Sequence, residues 1–322
     1  MKALVTGAAG FVGSHLSEAL LERGDDVVGV DCFTPYYERE RKVANADEVH
    51  ATAASCSAAF ELVDTDLRAT DIGALLDGVD VVFHQAAQPG VRLSWADGFA
   101  TYAELNVLAT QRLLEAVRVI DSARRPKVVY ASSSSVYGNQ PRYPTVETDL
   151  PAPHSPYGVT KLAAEHLCGL YAANYGIETV SLRYFTVFGP RQRPDMSIHR
   201  LCAAVVTGET FPRYGDGTQI REFTEVRDIV AGNLAAADHD VVPGTYLNLA
   251  GGGEITLNEL IVLIGELAGA PVAVEARAAQ PGDSFRNGGS TDRARALLGW
   301  EPTVSLRDGL ARQLAWHRAS SP

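Results

Sequence analysis

Tyr157 and Lys161 stand four residues apart in Ser155-Pro156-Tyr157-Gly158-Val159-Thr160-Lys161. On a helix that spacing stacks the two side chains on one face. A phenol with an ordinary pKa of about 10 is a poor base near neutral pH unless its anion is favoured. An ammonium group one turn away favours the anion by Coulomb attraction, which makes the pair a candidate acid/base device. Taken alone, the spacing equally fits a buried aromatic beside a surface lysine. Two upstream features give it weight. One is Thr6-Gly7-Ala8-Ala9-Gly10-Phe11-Val12-Gly13, a glycine-rich turn; the other is the hydroxyl run Ser132-Ser133-Ser134-Ser135.

These residues need elements to hold them. Ala3-Leu4-Val5 is a short apolar strand, and the pattern after the glycine turn is helical to Arg23. Val27–Val30 is a second strand that ends at Asp31. In this β-α-β setting the glycines let backbone approach a pyrophosphate, and the helix start offers unpaired N–H groups to it. Asp31 is placed to accept from both ribose hydroxyls and to repel a 2′-phosphate, which favours NAD over NADP. Further strands are expected at Phe60–Val63, Val79–His84, Lys127–Ala131 and Glu178–Arg183. Between them lie a short helix over Asp71–Asp77, a long amphipathic helix over Ala100–Val119 that contains Asn106, and the Tyr157 helix to about Asn174. Asp66, in Asp64-Thr65-Asp66-Leu67, is placed either to reach an adenine amino group or to cap a loop. The Ala-rich stretch from Ala51 to Ala59 is a loop or a short helix. The serine run stands at the carboxyl end of a parallel strand, where ligands bind.

This order predicts an α/β fold with a doubly wound, Rossmann-type parallel sheet. Residues 1–184 would form it, joined by parts of 226–250, and residues 185–322 would form a smaller mixed α/β substrate domain. In the second part the expected elements are a helix over Ile198–Thr207, short strands within Arg213–Glu225, a helix over Val226–Ala237 and a strand at Thr245–Leu249. A helix over Thr256–Ala268 with a Thr256/Glu259 capping box and a last helix over Leu306–Arg318 complete it.

Composition narrows the partners. The 322 residues carry a net charge of −11 with no basic cluster, which argues against nucleic acid and against an anionic membrane surface. An anionic substrate would need arginines gathered locally, and of the 28 basic residues all but Lys2, Lys42, Lys127 and Lys161 are Arg. The four cysteines, Cys32, Cys56, Cys168 and Cys202, lie far apart without metal-ligand spacing. Free thiols in a reducing cytoplasm and no metal site are the expectation. No apolar run approaches the length of a signal peptide or a membrane span.

Over essentially its full length the chain resembles the extended short-chain dehydrogenase/reductase family, of the NAD-dependent epimerase/dehydratase type. The resemblance rests on the Gly7/Gly10/Gly13 loop, Asp31, Asp66-Leu67, the serine run before Val136-Tyr137-Gly138, Tyr157/Lys161 and Leu298-Gly299-Trp300-Glu301-Pro302. Within that family it is most similar to the UDP-glucuronate 4-epimerases. The residues concerned are Tyr36-Tyr37, Ala86 to Arg92, Arg183 to Pro190, Arg193-Pro194-Asp195-Met196 and Gln280-Pro281-Gly282-Asp283.

The resemblance implies bound, recycled NAD, held by Gly7, Gly10, Phe11, Val12, Gly13, Asp31, Asp66, Leu67, Ala86, Ala87, Tyr157, Lys161, Tyr184 and Phe185. It implies catalysis by Tyr157, Lys161 and Ser133, with a UDP-sugar held by Gln88, Arg92, Ser133, Ser134, Ser135, Thr186, Arg193, Arg221 and Arg286. Arg193 and Arg221 are the candidates for the diphosphate. Related decarboxylases carry Glu where Ser135 stands, and related 4,6-dehydratases carry Asp-Glu at Ser134 and Ser135, so both activities are disfavoured. Arg286 departs from the epimerase pattern and falls near a carboxylate-binding Arg of the decarboxylases. Cys32-Phe33 is a second departure. A homodimer through the Ala100–Val119 and Tyr157–Asn174 helices is also implied. UDP-glucose/UDP-galactose 4-epimerase, UDP-glucuronate decarboxylase and a non-catalytic NAD-binding regulator are the competing readings.

Overall fold

Strands that are apolar on both faces require cover on both faces. The computed structural model, which describes residues 1–278 and 285–320, meets that requirement with helices. The chain opens with β1 (Lys2–Thr6), α1 (Phe11–Arg23), β2 (Asp26–Asp31), α2 (Arg39–Ser55), β3 (Phe60–Asp64), α3 (Ile72–Leu75) and β4 (Val81–His84). Then come α4 (Phe99–Tyr102), a π-helical turn (Ala103–Leu108), α5 (Ala109–Arg118), β5 (Lys127–Ser133), α6 (Pro156–Tyr175) and β6 (Thr179–Tyr184). The second part holds β7 (Val187–Phe188), α7 (Ser197–Thr207), β8 (Phe211–Tyr214), β9 (Ile220–Glu222), β10 (Thr224–Glu225) and α8 (Val226–Asp238). It ends with β11 (Thr245–Leu249), β12 (Glu254–Thr256), α9 (Leu257–Ala268), β13 (Val274–Arg277), α10 (Asp292–Leu298) and α11 (Leu306–Ser320).

Seven strands form one sheet in the order β11-β6-β5-β4-β1-β2-β3, and every pairing in it is parallel. The order reverses at β1, between β2 and β4, which is the doubly wound pattern and its switch point. Alternation along β1 sends Ala3 and Val5 into one core with Leu16, Leu20, Ile229 and Trp300. Leu4 goes to the opposite core with Val82, Leu113, Ala164 and Cys168. A third core, built from Phe188, Leu201, Phe211, Phe223, Leu260 and Leu310, belongs to the second part of the chain.

Helix α8 packs on β5 and β6, and β11 pairs with β6 in the first sheet. Trp300 locks this packing by donating its indole N–H to Asp228 O at 2.9 Å. The Asp228 carboxylate accepts from the N–H groups of Thr303 and Val304, each at 3.0 Å. The capping box is present: Thr256 Oγ1 accepts from Glu259 N at 3.2 Å, and Thr256 N donates to Glu259 Oε2 at 2.9 Å.

Two features differ from the sequence reading. The stretch before β3 is a long helix, α2, whose buried face mixes Lys42 and Asn45 with Ala46 and Val49, so no apolar stripe marks it. The Ala100–Val119 helix is interrupted by the π turn, which carries Asn106 into the core. There Asn106 Oδ1 accepts from Gln88 N at 2.6 Å, and its amide donates to Gln88 O at 3.1 Å and Thr160 Oγ1 at 3.0 Å. Wide turns of this kind recur at functional sites.

Candidate active site

A cleft of about 830 Å³ lies along the carboxyl ends of β1, β2, β4, β5 and β6. On its sheet side Gly7 has φ +72, and a Cβ on Gly13 would stand 2.1 Å from Gly7 O. The turn therefore closes directly on the start of α1, whose N-cap, Gly10, supplies no capping side chain. Gly7, Gly10, Phe11, Val12 and Gly13 line the cleft there, beside free helix-start N–H groups suited to an anion. Asp31 follows at the end of β2, accepting from Phe33 N at 2.8 Å and Ala9 N at 3.2 Å. Burial pushes its carboxyl up, and Lys42, 3.9 Å away, is the largest opposing influence. Lys42 itself escaped the sequence reading because α2 shows no periodic signal. Asp66, Leu67, Ala86, Ala87 and Tyr184 also line this side. Pyrophosphate at the helix start and a ribose at Asp31 fit this set of groups.

Toward the middle of the cleft lie Ser133, Tyr157 and Lys161. Tyr157 enters from the first turn of α6, which Ser155 caps by accepting from Gly158 N at 3.1 Å. Its ring meets that of Tyr102 edge to face at 6.1 Å. Burial pushes the phenol up; a hydrogen bond with Ser133 and the Arg193 charge pull it back. Ser133 Oγ accepts from Ser135 N at 3.1 Å, which orients its hydroxyl. The Lys161 ammonium sits 4.7 Å from the centroid of the Tyr130 ring. Tyr157 and Lys161 stand one turn apart on α6 and both line the cleft.

Burial brings Lys161 down to about 7, against Cys168 and Glu165, which act to raise it. This has a stability consequence. An unfolded lysine keeps its proton to about 10.5, so between pH 7 and 10.5 the unfolded chain binds more protons and stability rises with pH. Below pH 7 the cost of burying the charge is felt in full. Lys161→Met should therefore raise the urea midpoint of the cofactor-free protein at pH 6, and by less at pH 9. An equal gain at both values would contradict the burial of this charge.

The far wall carries Ser134, Ser135, Thr186, Arg92, Arg193 and Arg221. Arg200 and Asn287 also face the cleft and were not singled out from the sequence. Asn287 holds Thr186 by donating to its Oγ1 at 3.1 Å. Arg193 forms a two-point pair with Asp195, both contacts at 3.0 Å, and Tyr36 donates its hydroxyl to Asp195 at 3.2 Å. Arg92 stacks on Tyr214 with its guanidinium 4.8 Å from the ring centroid. The local gathering of arginines expected of an anionic substrate is thus present.

Three expected site residues lie elsewhere. Phe185 faces away, because alternation gives the cleft Tyr184 and Thr186; its ring packs over Gly289 and near Tyr137. Gln88 is buried behind the wall, its backbone held by Asn106 and its amide donating to Pro89 O at 3.3 Å. Arg286 is committed to Glu254 by two contacts, at 3.0 and 2.5 Å, and stacks on Tyr143. Gln280, Pro281, Gly282 and Asp283 fall outside the described residues. Among the described residues no group of three or more His, Cys, Asp or Glu is placed to hold a metal, and no helix is long and apolar enough to cross a membrane.

Residues 3–250 match the model of the NAD dependent epimerase/dehydratase family. The chain is 39% identical over 320 residues to an uncharacterized UDP-glucose epimerase, YtcB, of Bacillus subtilis (strain 168), covering 98% of both chains. It is 34% identical to a UDP-glucuronate 4-epimerase of Thermodesulfobacterium geofontis (strain OPF15), over 98% of this chain and 95% of that one. The crystal structure of UDP-glucuronic acid 4-epimerase from Bacillus cereus, in complex with UDP-glucuronic acid and NAD, matches with a TM-score of 0.93 and 39% identity over 99% of each chain.

Proposed function

The chain belongs to the NAD dependent epimerase/dehydratase family, and from that premise we propose that it is a UDP-glucuronate 4-epimerase, interconverting UDP-glucuronate and UDP-galacturonate through a 4-keto sugar. The observation that carries this reading is the cleft wall at the end of β5. Ser134 and Ser135 stand there as neutral hydrogen-bond donors, within reach of a wall that also carries Arg92, Arg193 and Arg221. A 4,6-dehydratase needs acids at that point, and a decarboxylase needs a Glu and a free Arg. Arg286, the one departure toward the decarboxylases, pairs with Glu254 and is not among the residues that line the cleft.

NAD, when bound, supplies the acceptor and the donor of the C4 hydride. Tyr157 takes the proton of the C4 hydroxyl during oxidation and returns one during reduction, while Ser133 hydrogen-bonds the same oxygen. Arg193 and Arg221 grip the diphosphate, so the flat 4-ketone is free to turn its other face without leaving. A 4-keto uronate is a β-keto acid, which loses carbon dioxide when the bond from C5 to its carboxylate aligns with the carbonyl π system. Ser134 and Ser135, with Thr186 beside the sugar, hold the carboxylate out of that alignment. Residues 1–184 with α8 and β11 carry the cofactor, and residues 185–322 carry most of the nucleotide contacts. Two copies pair through the helices before and after β5, where Phe99, Leu108, Val159 and Leu170 are exposed apolar side chains. The reaction is placed in the cytoplasm.

The name of the Bacillus subtilis relative favours a second reading, UDP-glucose/UDP-galactose 4-epimerase. Turnover of both sugar nucleotides separates the two. Several charge-assisted hydrogen bonds to the carboxylate should favour UDP-glucuronate in kcat/KM by about 10-fold or more, with no pentose formed. Faster turnover of UDP-glucose would replace this reading with the second, and a pentose product would make the protein a decarboxylase.

A further inference from the structure

The residues Pro190 to Arg193 tie three parts of the molecule together in consecutive steps. Pro190 O accepts from His15 Nε2–H at 3.0 Å. Arg191 takes a left-handed backbone, φ +61, and sends its guanidinium to the same helix. Its Nη2 meets both carboxylate oxygens of Glu18, at 2.8 and 2.9 Å, with Glu48 beside it. His15 and Glu18 belong to α1 and Glu48 to α2, the two helices of the cofactor side. Gln192 turns the other way. Its Oε1 accepts from His199 N at 2.9 Å and Gln313 Nε2 at 2.8 Å, on α7 and α11. Arg193 then enters the cleft.

A non-glycine residue at positive φ costs on the order of 1–2 kcal/mol and persists where its surroundings impose it. Here the surroundings are two carboxylates around a guanidinium that is only 8% exposed. The turn lets neighbouring side chains face opposite bodies and delivers Arg193 to the cleft between them.

We infer that Arg191 is a positioning residue: by clamping its loop to α1 and α2 it sets Arg193 against the diphosphate of the substrate. The helix whose first turn lines the cofactor side and the cation that grips the nucleotide are thereby held as one body. The inference rests on the reading of Arg193 as a diphosphate-binding cation.

The test uses the NAD-containing protein, with UDP as the probe in calorimetry and UDP-glucuronate in kinetics. Arg193→Ala should weaken UDP binding about 10-fold, the loss of a charge-assisted contact. Arg191→Gly keeps the turn and deletes the clamp; it should weaken UDP and raise KM about 10-fold, while bound NAD changes less than about twofold. Glu18→Gln, which keeps the side-chain size, should shift both in the same direction by about threefold. Arg191→Lys should recover part of the loss. The double variant Arg191→Gly/Arg193→Ala should bind UDP no worse than Arg193→Ala alone. Parent-like UDP affinity in both Arg191→Gly and Glu18→Gln, or losses that multiply in the double variant, would overturn the role of Arg191. Parent-like affinity in Arg193→Ala would instead overturn the diphosphate reading on which it rests.

Discussion

Tyr157→Phe should slow epimerisation by about 10²–10⁴-fold, the range of a lost general acid/base, and leave NAD bound in the parent proportion. The loss corresponds to about 3–5 kcal/mol of transition-state stabilisation. Only the hydroxyl is removed. The ring keeps its contact with Tyr102 at 6.1 Å, and the Ser155 cap that fixes the first turn of α6 is untouched. Ser133 remains hydrogen-bonded to Ser135 N. The groups that favour the phenolate, Ser133 and Arg193, then have nothing to act upon. The check is kcat alongside the NAD-to-protein ratio of the purified variant. A rate near that of the parent would mean that another group moves the C4 proton.

The second large effect is expected at Gly13. A Cβ there would stand 2.1 Å from Gly7 O, 2.8 Å from Gly7 C and 3.1 Å from Ala8 Cα. All three are backbone atoms, so no side chain can swing aside. Gly7 O also accepts from Gly10 N at 3.0 Å, so making room for an added methyl must open the whole turn. Overpacking of this kind costs about 1–3 kcal/mol, and opening the turn withdraws the backbone from the pyrophosphate. Gly13→Ala should bind NAD at least about 100-fold more weakly, close to 3 kcal/mol. Gly24→Ala is the matched control. It meets a backbone penalty of its own, φ +90, but nothing lies within 4 Å of its Cβ. It should lower stability by about 1 kcal/mol without changing NAD affinity. Unchanged affinity in Gly13→Ala would contradict the placement of the dinucleotide on this loop.

The features visible in the sequence are those whose signal is local. The glycine turn, Asp31 and the Tyr157/Lys161 pair are fixed by spacing within one or two elements, and the buried strands announce themselves as apolar runs. Strand β11 pairs with β6 and with none of the short two-stranded sheets; its alternating apolar residues alone do not choose between them. Other features depend on what the chain meets after folding. Helix α2 is held by a mixed polar face, in which Lys42 and Asn45 are buried, and hydrophobic periodicity cannot register it. A π turn adds one residue to a helical turn without changing composition, so the inward rotation of Asn106 had no sequence signal. Arginines are the sharpest case. Arg193 and Arg221 face the cleft, Arg183 is buried against Glu165, Arg191 against Glu18, and Arg286 is paired outside with Glu254. Nothing in one dimension separates a substrate cation from a structural one. Each is decided by where the fold carries it: Arg193 faces the cleft even while paired with Asp195.

The helical spacing brings Tyr157 and Lys161 into the same cleft, but it says nothing of Ser133 and Arg193, which act on the phenol from other elements.

UDP-glucuronate carrying deuterium at C4 gives the most direct test. After incubation with the purified protein and analysis of the sugar nucleotides, the account predicts UDP-galacturonate that still carries deuterium at C4, with no pentose. Protium at C4 of the product, or carbon dioxide and a pentose nucleotide in place of the epimer, would contradict it.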